Sequence, residues 1–154
     1  MTGPVFIDTN ILVYSRDAGE PLKQAKARRV LAILWETGLG RISHQVLNEY
    51  YVTVTRKLKP GLPKVDARDD VDTLLAWQPL ALTAGDFSQA WEIEDRCGLS
   101  WWDSLIVASA LKYRCVTLLS EDMHDGLKID GLRIRNPFAE GFDLGIISTG
   151  GEIR

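Results

Sequence analysis

The chain has 154 residues, of which 45% are hydrophobic and 25% charged, and this composition predicts one globular domain. A domain of this size buries about two thirds of the surface that its unfolded chain exposes. The formal net charge of -3 argues against a general nucleic-acid-binding protein, which is usually basic. It does not exclude a nuclease, because acidic residues that hold metal ions lower the formal charge while the bound cations restore the attraction for phosphate. No stretch has the length of a membrane span or the pattern of a signal peptide, so we expect a soluble cytoplasmic protein.

The first predicted strand ends on a carboxylate. A short continuous apolar run, Val5-Phe6-Ile7, precedes Asp8 and predicts a strand that is buried on both faces of a parallel sheet. A second run of this kind, residues 116–119, leads into Ser120-Glu121-Asp122. Ligands of open α/β sheets bind outside the carboxyl ends of the strands. If the two strands are parallel neighbours, Asp8 and Asp122 therefore open onto one crevice.

The rest of the chain predicts helices that alternate with short strands, which is the pattern of an α/β fold. Helical spacing of apolar residues predicts helices over residues 22–37, 45–57, 63–77, 83–97 and 100–111, and short apolar runs predict strands over residues 41–43, 80–82 and 131–135. A strand is the alternative prediction for part of residues 45–57, because the β-branched residues 52–55 would also suit a strand. The helix over residues 63–77 is expected to bury Val71, Leu74 and Leu75.

Two further acids lie inside predicted helices. Glu49 shares a face with Val46 and Thr53, and an acid on a mostly apolar face is costly to bury unless it is paired or metal-bound. A salt bridge to a nearby Arg or Lys is slightly favoured by the spacing alone. Asp103 lies in the first turn of the most apolar helix, where Ser100 makes a capping arrangement with it that would explain it structurally. The same helix N-terminus also helps to keep a carboxylate ionised, as metal ligation requires.

Four carboxylates share one property, since each interrupts or ends an apolar segment: Asp8, Glu49, Asp103 and Asp122. Like charges that converge in one cavity repel each other, so such a cluster needs a cation. Hard oxygen ligands select Mg²⁺ or Mn²⁺ over zinc. A hydrated Mg²⁺ can bind a phosphate oxygen, activate water and stabilise the leaving oxygen of an in-line displacement. No single position is specific for this chemistry, but the joint pattern is.

Four segments that contain these acids follow one another along the chain: Phe6-Ile7-Asp8-Thr9-Asn10-Ile11-Leu12, Ser43-His44-Gln45-Val46-Leu47-Asn48-Glu49-Tyr50-Tyr51, Trp102-Asp103-Ser104-Leu105-Ile106-Val107-Ala108-Ser109-Ala110, and Leu118-Leu119-Ser120-Glu121-Asp122-Met123 followed by Asn136-Pro137-Phe138. In this order they resemble the motifs of PIN-domain ribonucleases, and in style those of the VapC-type toxins of bacterial and archaeal toxin–antitoxin pairs. The resemblance covers residues 5–138 without extra domains. We therefore expect a PIN domain over residues 1–138 and a C-terminal tail over residues 139–154, which has little to bury it and is expected to be poorly ordered.

The resemblance implies an α/β fold, a single PIN-like domain whose central parallel sheet is flanked by helices on both faces. It also implies a homodimer that cleaves RNA endonucleolytically with Mg²⁺ or Mn²⁺. The residues that match the family's metal-binding acids are Asp8, Glu49, Asp103 and Asp122. The residues that match the small polar positions orienting them are Asn10 and Ser120. Two more acids stand beside the fourth motif, Glu121 and Asp125, and which of these carboxylates completes the site is left open.

The same resemblance implies a small antitoxin partner whose C-terminal segment folds onto the chain. Aromatic side chains near the acids are the expected receiving surface: Trp35, Tyr50, Tyr51, Trp101 and Trp102. An arginine of the antitoxin would then compete with the metal for the carboxylates.

Two other functions fit parts of the pattern. A catalytically silent PIN fold kept for binding a partner would not need all four acids. An aspartate-dependent phosphotransferase would also have an aspartate after its first strand, but its common form has a second acid two residues later, where this chain has Asn10. It further requires a lysine late in a parallel strand, which none of the apolar runs supplies.

Overall fold

One sheet of five short strands organises the fold. The computed structural model describes residues 3–148, and in this part of the chain the strands are β1 (Val5–Ile7), β2 (Gly40–Arg41), β3 (Thr117–Leu119), β4 (Lys128–Ile129) and β5 (Leu132–Arg135). Their order in the sheet is β2-β1-β3-β5-β4. Pairing is parallel between β1 and β2, β1 and β3, and β3 and β5, whereas β4 runs antiparallel to β5 at the edge. The predicted parallel sheet is confirmed, with an antiparallel edge strand that the sequence did not predict.

The two central strands, β1 and β3, end level with each other. In their register Val5 pairs with Thr117 and Ile7 with Leu119, and every residue of both strands is buried. The backbone N–H of Asp8 continues this ladder by donating to the carbonyl oxygen of Leu119 at 2.9 Å. Because the strands are covered on both faces, they consist of apolar runs rather than alternating residues. Asp8 and the segment after β3 consequently leave the sheet at the same edge.

Helices flank this sheet. The α-helices of the described residues are α1 (Thr9–Tyr14), α2 (Pro21–Thr37), α3 (His44–Val52), α4 (Lys64–Leu74), α5 (Phe87–Cys97), α6 (Trp101–Lys112) and α7 (Gly145–Ser148). A π-helical turn, Thr53–Lys57, extends α3, and 3-10 turns follow α4 (Leu75–Trp77) and precede α5 (Ala84–Asp86). Within residues 3–148, none of the helices is long and apolar enough to cross a membrane.

Local sequence signals account for where the main helices begin and end. Ser43 and Ser100 cap α3 and α6, since each side chain accepts the backbone N–H three residues further on. Gly38 and Gly98 end α2 and α5 in the left-handed conformation, with φ angles of 70° and 66°. The predicted ends of α2 and α5 and the predicted start of α6 are confirmed, whereas the α-helical part of α5 begins at Phe87, after a 3-10 turn, rather than at residue 83, and that of α3 ends at Val52.

The segment over residues 45–57 is helical, so the strand alternative is wrong. Val46, Tyr50 and Val54 are spaced four residues apart, and all three are buried in the core. Their burial on one face of a helix outweighs the preference of the β-branched residues 52–55 for a strand, which is a small effect per residue.

The prediction that Leu75 is buried is wrong, because this residue is 48% exposed. The 3-10 turn begins at Leu75, and the change of helical period takes its side chain off the face on which α4 buries Ala67 and Leu74.

The strand predicted over residues 80–82 is reduced to a single parallel bridge between Leu80 and Ser43. The neighbouring strand β2 already ends at Arg41. Without a continuing partner strand, the apolar run over residues 80–82 cannot extend a ladder.

The chain beyond Phe138 is packed against the domain where it is described. Helix α7 contacts α2, and Ile147 is only 1% exposed. Phe142, Leu144 and Ile146 also pack against the core. The expectation that this segment has little to bury it is therefore wrong for residues 139–147. Residues 149–154 lie outside the described part of the chain, and the domain boundary at residue 138 stays a prediction.

Candidate active site: an acidic cleft at the end of the sheet

A cavity of about 680 Å³ opens at the carboxyl ends of β1 and β3, and we call it the acidic cleft. The acids that line it are Asp8, Asp17, Glu49, Asp103, Glu121 and Asp122. The four acids that the sequence singled out come from the end of β1, from α3, from the first turn of α6 and from the turn after β3. The structure thus brings together carboxylates that are as far as 114 residues apart in the sequence.

Asp8 is the most buried of these acids, with a residue exposure of 6%. It follows β1 and caps α1, so that its Oδ1 accepts the N–H of Thr9 at 2.7 Å, while its Oδ2 accepts the hydroxyl of Ser120 at 2.8 Å. Burial raises the pKa of Asp8 to about 7 although both hydrogen bonds lower it, and the charges of Asp103 and Glu49 raise it further. Asp8 therefore binds a proton near neutral pH unless a positive charge stabilises its carboxylate.

Asn10 and Ser120 connect the ends of the two central strands. The amide nitrogen of Asn10 donates to Asp122 Oδ2 at 3.1 Å and lies 3.4 Å from Asp8 Oδ2. The hydroxyl of Ser120 donates to Asp8 and also accepts the backbone N–H of Asp122 at 3.2 Å. Both side chains thus determine where the carboxylates of Asp8 and Asp122 lie relative to each other.

Glu49 is held by neutral donors. Its Oε1 accepts the hydroxyl of Thr9 at 2.7 Å, and its Oε2 lies 3.4 Å from the amide nitrogen of Gln45. In the described part of the chain, no arginine or lysine forms an ion pair with Glu49, so the salt bridge favoured by the sequence is not found there. The negative charge of Glu49 instead acts on its acidic neighbours in the cleft.

Asp103 lies in the first turn of α6. Its backbone N–H donates to the Oγ of Ser100 at 3.1 Å, and Ser100 is the residue that caps the helix. Burial raises the pKa of the Asp103 carboxyl, a hydrogen bond from the Ser100 side chain to this carboxyl lowers it, and the negative charges of Asp122 and Glu49 raise it. The cap and the carboxylate therefore belong to different residues, and the carboxylate lies among the other acids.

Of the two acids beside the fourth motif, only Glu121 reaches the cleft, and both of its carboxylate oxygens are bonded. Oε1 accepts the hydroxyl of Tyr14 at 2.6 Å, and Oε2 lies 2.6 Å from Lys23 Nζ. Asp125 does not line the cleft, because its Oδ1 accepts the N–H of Asn136 at 2.9 Å. This bond fastens the segment after β3 to the end of β5.

Sequence reasoning missed several side chains that shape the cleft. Thr9 and Gln45, which bind Glu49, were not singled out, although Gln45 lies one helical turn before Glu49. Lys57, from the π-helical turn, also lines the cavity. Asp17 lines it as well, and its Oδ1 accepts the N–H of Gly19 at 3.0 Å in the loop before α2.

The aromatic surface predicted for a partner is only partly present. Trp102 is 63% exposed and lines the acidic cleft. Tyr50 is buried and donates its hydroxyl to Asp70, and Trp35 packs against Trp77, away from the cleft. Trp101 packs against aromatic side chains of α5. Of the aromatic residues that the sequence proposed, Trp102 is the one that lines the cleft.

The chemistry of the cleft fits a hydrated divalent cation. Within residues 3–148, no three His, Cys, Asp or Glu side chains form a ready-made group that could hold an ion. Mg²⁺ does not need such a cage, because it usually keeps several waters and takes one or two protein carboxylates together with substrate phosphates. Acidic neighbours raise the pKa of Asp8 and Asp103. A bound cation would offset these negative charges and would lower both pKa values instead.

The acids gather at the carboxyl ends of the parallel strands. Comparison with known protein families agrees with the resemblance that the four sequence motifs indicate. A model of the PIN domain family matches residues 5–124, and the chain belongs to this family. Among solved structures, the chain is similar to one in the crystal structure of VapBC2 from Rickettsia felis bound to a DNA fragment from their promoter. The two chains are 20% identical, the alignment covers 86% of this chain and 97% of that one, and the TM-score is 0.53, which shows a shared fold. No curated protein matches the chain significantly.

Proposed function

We propose that this PIN domain is a metal-dependent endoribonuclease of the cytoplasm and the VapC-type toxin of a toxin–antitoxin pair. The convergence of Asp8, Glu49, Asp103 and Asp122 on one cavity is the observation that supports this function best. A silent binding module would have no use for a carboxyl buried as deeply as Asp8, because burying an ionisable group costs stability. Strongly perturbed carboxyls in a cleft are instead typical of functional sites.

The same four acids are the proposed binding site of a hydrated Mg²⁺ or Mn²⁺ ion. A bound ion of this kind activates water and stabilises the leaving oxygen of a phosphodiester. Ser120 and Thr9 orient the two oxygens of Asp8, while Asn10 sets the distance between Asp8 and Asp122. Holding reacting groups in place before the substrate arrives lowers the entropic part of the barrier.

The rim of the cleft offers groups suited to a single strand of RNA. Lys57 is exposed and lines the cleft, so its ammonium group would contact a phosphate. Trp102 presents an exposed ring next to Asp103, and unpaired bases stack on such rings. A single strand would therefore place a phosphate among the acids while one of its bases stacks on Trp102.

Cleavage of single-stranded RNA by the purified protein tests this function. Cleavage is expected with Mg²⁺ or Mn²⁺, is lost on chelation and returns when excess metal is added. Thermal unfolding gives a second readout, because Mn²⁺ at about 100 times its dissociation constant stabilises the folded state by roughly 2.7 kcal/mol. A protein that neither cleaves RNA nor gains stability from either ion would be the silent binding module.

Asp103→Asn is expected to lower cleavage by at least about a hundredfold, because it removes a charged ligand of the metal. The free energy of unfolding should change by less than about 1 kcal/mol, since Ser100 caps α6 and asparagine keeps the N–H that Ser100 accepts. Single-turnover cleavage and urea unfolding measure the two effects. Undiminished cleavage by a folded variant would remove Asp103 from the proposed ligands.

We also infer that the protein is a homodimer. Phe87 and Trp91 of α5 are 40% and 53% exposed, and both pack against Trp101 of α6. Exposed aromatic patches mark surfaces of association. Light scattering is expected to give twice the chain mass of 17.2 kDa. Trp91→Glu should shift this mass towards the single chain, and a wild-type protein with the single-chain mass would contradict the dimer.

A small antitoxin is the proposed protein partner. Its C-terminal segment would bury an apolar side chain against Trp102 and direct an arginine to the neighbouring carboxylates, where the arginine competes with the metal. Raising the Mg²⁺ concentration at constant ionic strength is then expected to weaken antitoxin binding several-fold. Titration calorimetry at low and high Mg²⁺ measures the effect. Equal affinities would mean that the antitoxin blocks the path of RNA without touching the acids.

A further inference from the structure

Glu121 is bound by helix α1 at two points. Its backbone N–H donates to the Oδ1 of Asn10 at 3.3 Å, and its carboxylate accepts the hydroxyl of Tyr14 at 2.6 Å. Asn10 and Tyr14 are four residues apart and therefore lie on the same face of α1. This face of α1 is consequently fastened to the turn after β3, which contains Asp122.

Lys23 closes the arrangement from helix α2. Its Nζ lies 2.6 Å from Glu121 Oε2 and 3.4 Å from the hydroxyl of Tyr14. It also lies over two aromatic rings, at 4.8 Å from the centroid of Tyr14 and 5.8 Å from that of Phe138. The two rings contact each other edge to face at 5.0 Å. An isolated exposed ion pair contributes little, but this lysine is positioned by a carboxylate, a hydroxyl and two rings at once.

We propose that Glu121 is not a metal ligand but the anchor of a tether, formed with Lys23 and Tyr14, that positions the Asn10 amide between Asp8 and Asp122. Both carboxylate oxygens of Glu121 are already bonded, and the ammonium of Lys23 neutralises its charge. With Glu121 fixed, the backbone of the turn holds Asn10 Oδ1, and the amide nitrogen of Asn10 is directed to Asp122. Lys23 and Tyr14 are thus positioning residues, and this role rests on the proposed nuclease function.

The Mn²⁺ affinity of variants distinguishes whether Glu121 anchors the tether or binds the metal. Glu121→Gln can still accept the Tyr14 hydroxyl, and it loses only the ion pair with Lys23. Mn²⁺ affinity of the RNA-free protein, measured by calorimetry, is expected to fall less than about threefold in Glu121→Gln, against at least about tenfold in Asp122→Asn. Equal losses in the two variants would make Glu121 a ligand and overturn the tether.

Cleavage kinetics distinguish whether Lys23 positions residues of the site or binds RNA. Lys23→Met is expected to lower kcat about tenfold with KM little changed, because misplaced site groups slow the chemical step. Lys23→Arg should restore most of the rate, and Lys26→Met, which removes an exposed lysine of the same helix, should leave it unchanged. A raised KM with an unchanged kcat would mean that Lys23 only contacts phosphates, and would overturn the proposal.

Hydrogen exchange tests the tether without any activity. Exchange of the Glu121 backbone N–H is expected to be at least several-fold faster in Lys23→Met than in the wild type or in Lys26→Met, since its bond to Asn10 loosens. Unchanged exchange would overturn the tether. A wild-type protein that neither cleaves RNA nor binds Mn²⁺ would overturn the proposed function, and the exchange rates would still decide whether Lys23 and Glu121 hold the turn.

Discussion

Asp8→Asn is expected to lower the rate of RNA cleavage by at least about a thousandfold while the fold stays intact. The substitution removes the charge of the most buried acid in the cleft, and with it a proposed metal ligand. The amide oxygen of asparagine can still accept one of the two hydrogen bonds that Thr9 and Ser120 donate. Without metal, the free energy of unfolding should hold or rise, because the charges of Asp103 and Glu49 no longer repel a carboxylate at this position.

Single-turnover cleavage and urea unfolding in metal-free buffer measure the two effects of Asp8→Asn. Asp69→Asn is the matched control, because it removes an exposed carboxylate of α4 that does not line the cleft. The control should match the wild type in both measurements. Retained cleavage by a pure, metal-replete Asp8→Asn protein would contradict the role proposed for Asp8.

The metal-free protein is expected to lose stability as pH rises from about 4 to about 7. The pKa of Asp8 is about 7 in the folded state and 3.8 ordinarily, so between these values the folded state binds more protons than the unfolded state. The stability that the folded state gains by binding this proton at Asp8 is fully present below the ordinary pKa. It is lost as pH rises through the folded-state pKa, by up to roughly 4 kcal/mol. The raised pKa of Asp103 acts in the same direction.

Protonation of Asp8 should also make the Mn²⁺ affinity depend on pH. Because the ion binds the ionised carboxylate, its affinity is expected to rise by up to about tenfold per pH unit below about pH 7 and to level off above it. Calorimetry across this range, with urea unfolding of the metal-free protein beside it, provides the measurement. Both dependences should be much flatter in Asp8→Asn. A wild-type protein whose stability and Mn²⁺ affinity were constant over this range would show that Asp8 is ionised throughout.

Short-range patterns were enough to predict the elements that build the cleft. The apolar run Val5-Phe6-Ile7 predicts a strand by itself, because burial on both faces leaves no room for a polar residue until Asp8. Ser100 and Gly98 mark helix ends through hydrogen bonding and backbone conformation within a few residues. The topological rule that parallel strands present ligands at their carboxyl ends then placed Asp8 and Asp122 at one edge.

Short-range patterns did not predict the hydrogen bonds and ion pairs of side chains whose partners are distant in the chain. Glu121 and Asp122 are neighbours with similar chemistry, yet one is bound by Lys23 and Tyr14 and the other by Asn10. Nothing local distinguishes them, because the bonds that do so cross about 100 residues and form only when α1 and α2 pack beside β3. The hydrogen bond that Tyr50 of α3 donates to Asp70 of α4 was not predicted either, because it forms only when these two helices pack together.

The sequence by itself therefore determined the α/β class, most helix ends and the four acids proposed as ligands, since each follows from burial period, capping or strand topology. Only the tertiary structure decided that Glu49 is held by Thr9 and Gln45 rather than by a cation. It also decided that the segment up to Ile147 packs against α2, and that both carboxylate oxygens of Glu121 are bound by Lys23 and Tyr14. The physical reason is that hydrogen bonds and burial at the cleft depend on which distant side chains the packed helices bring within about 3 Å.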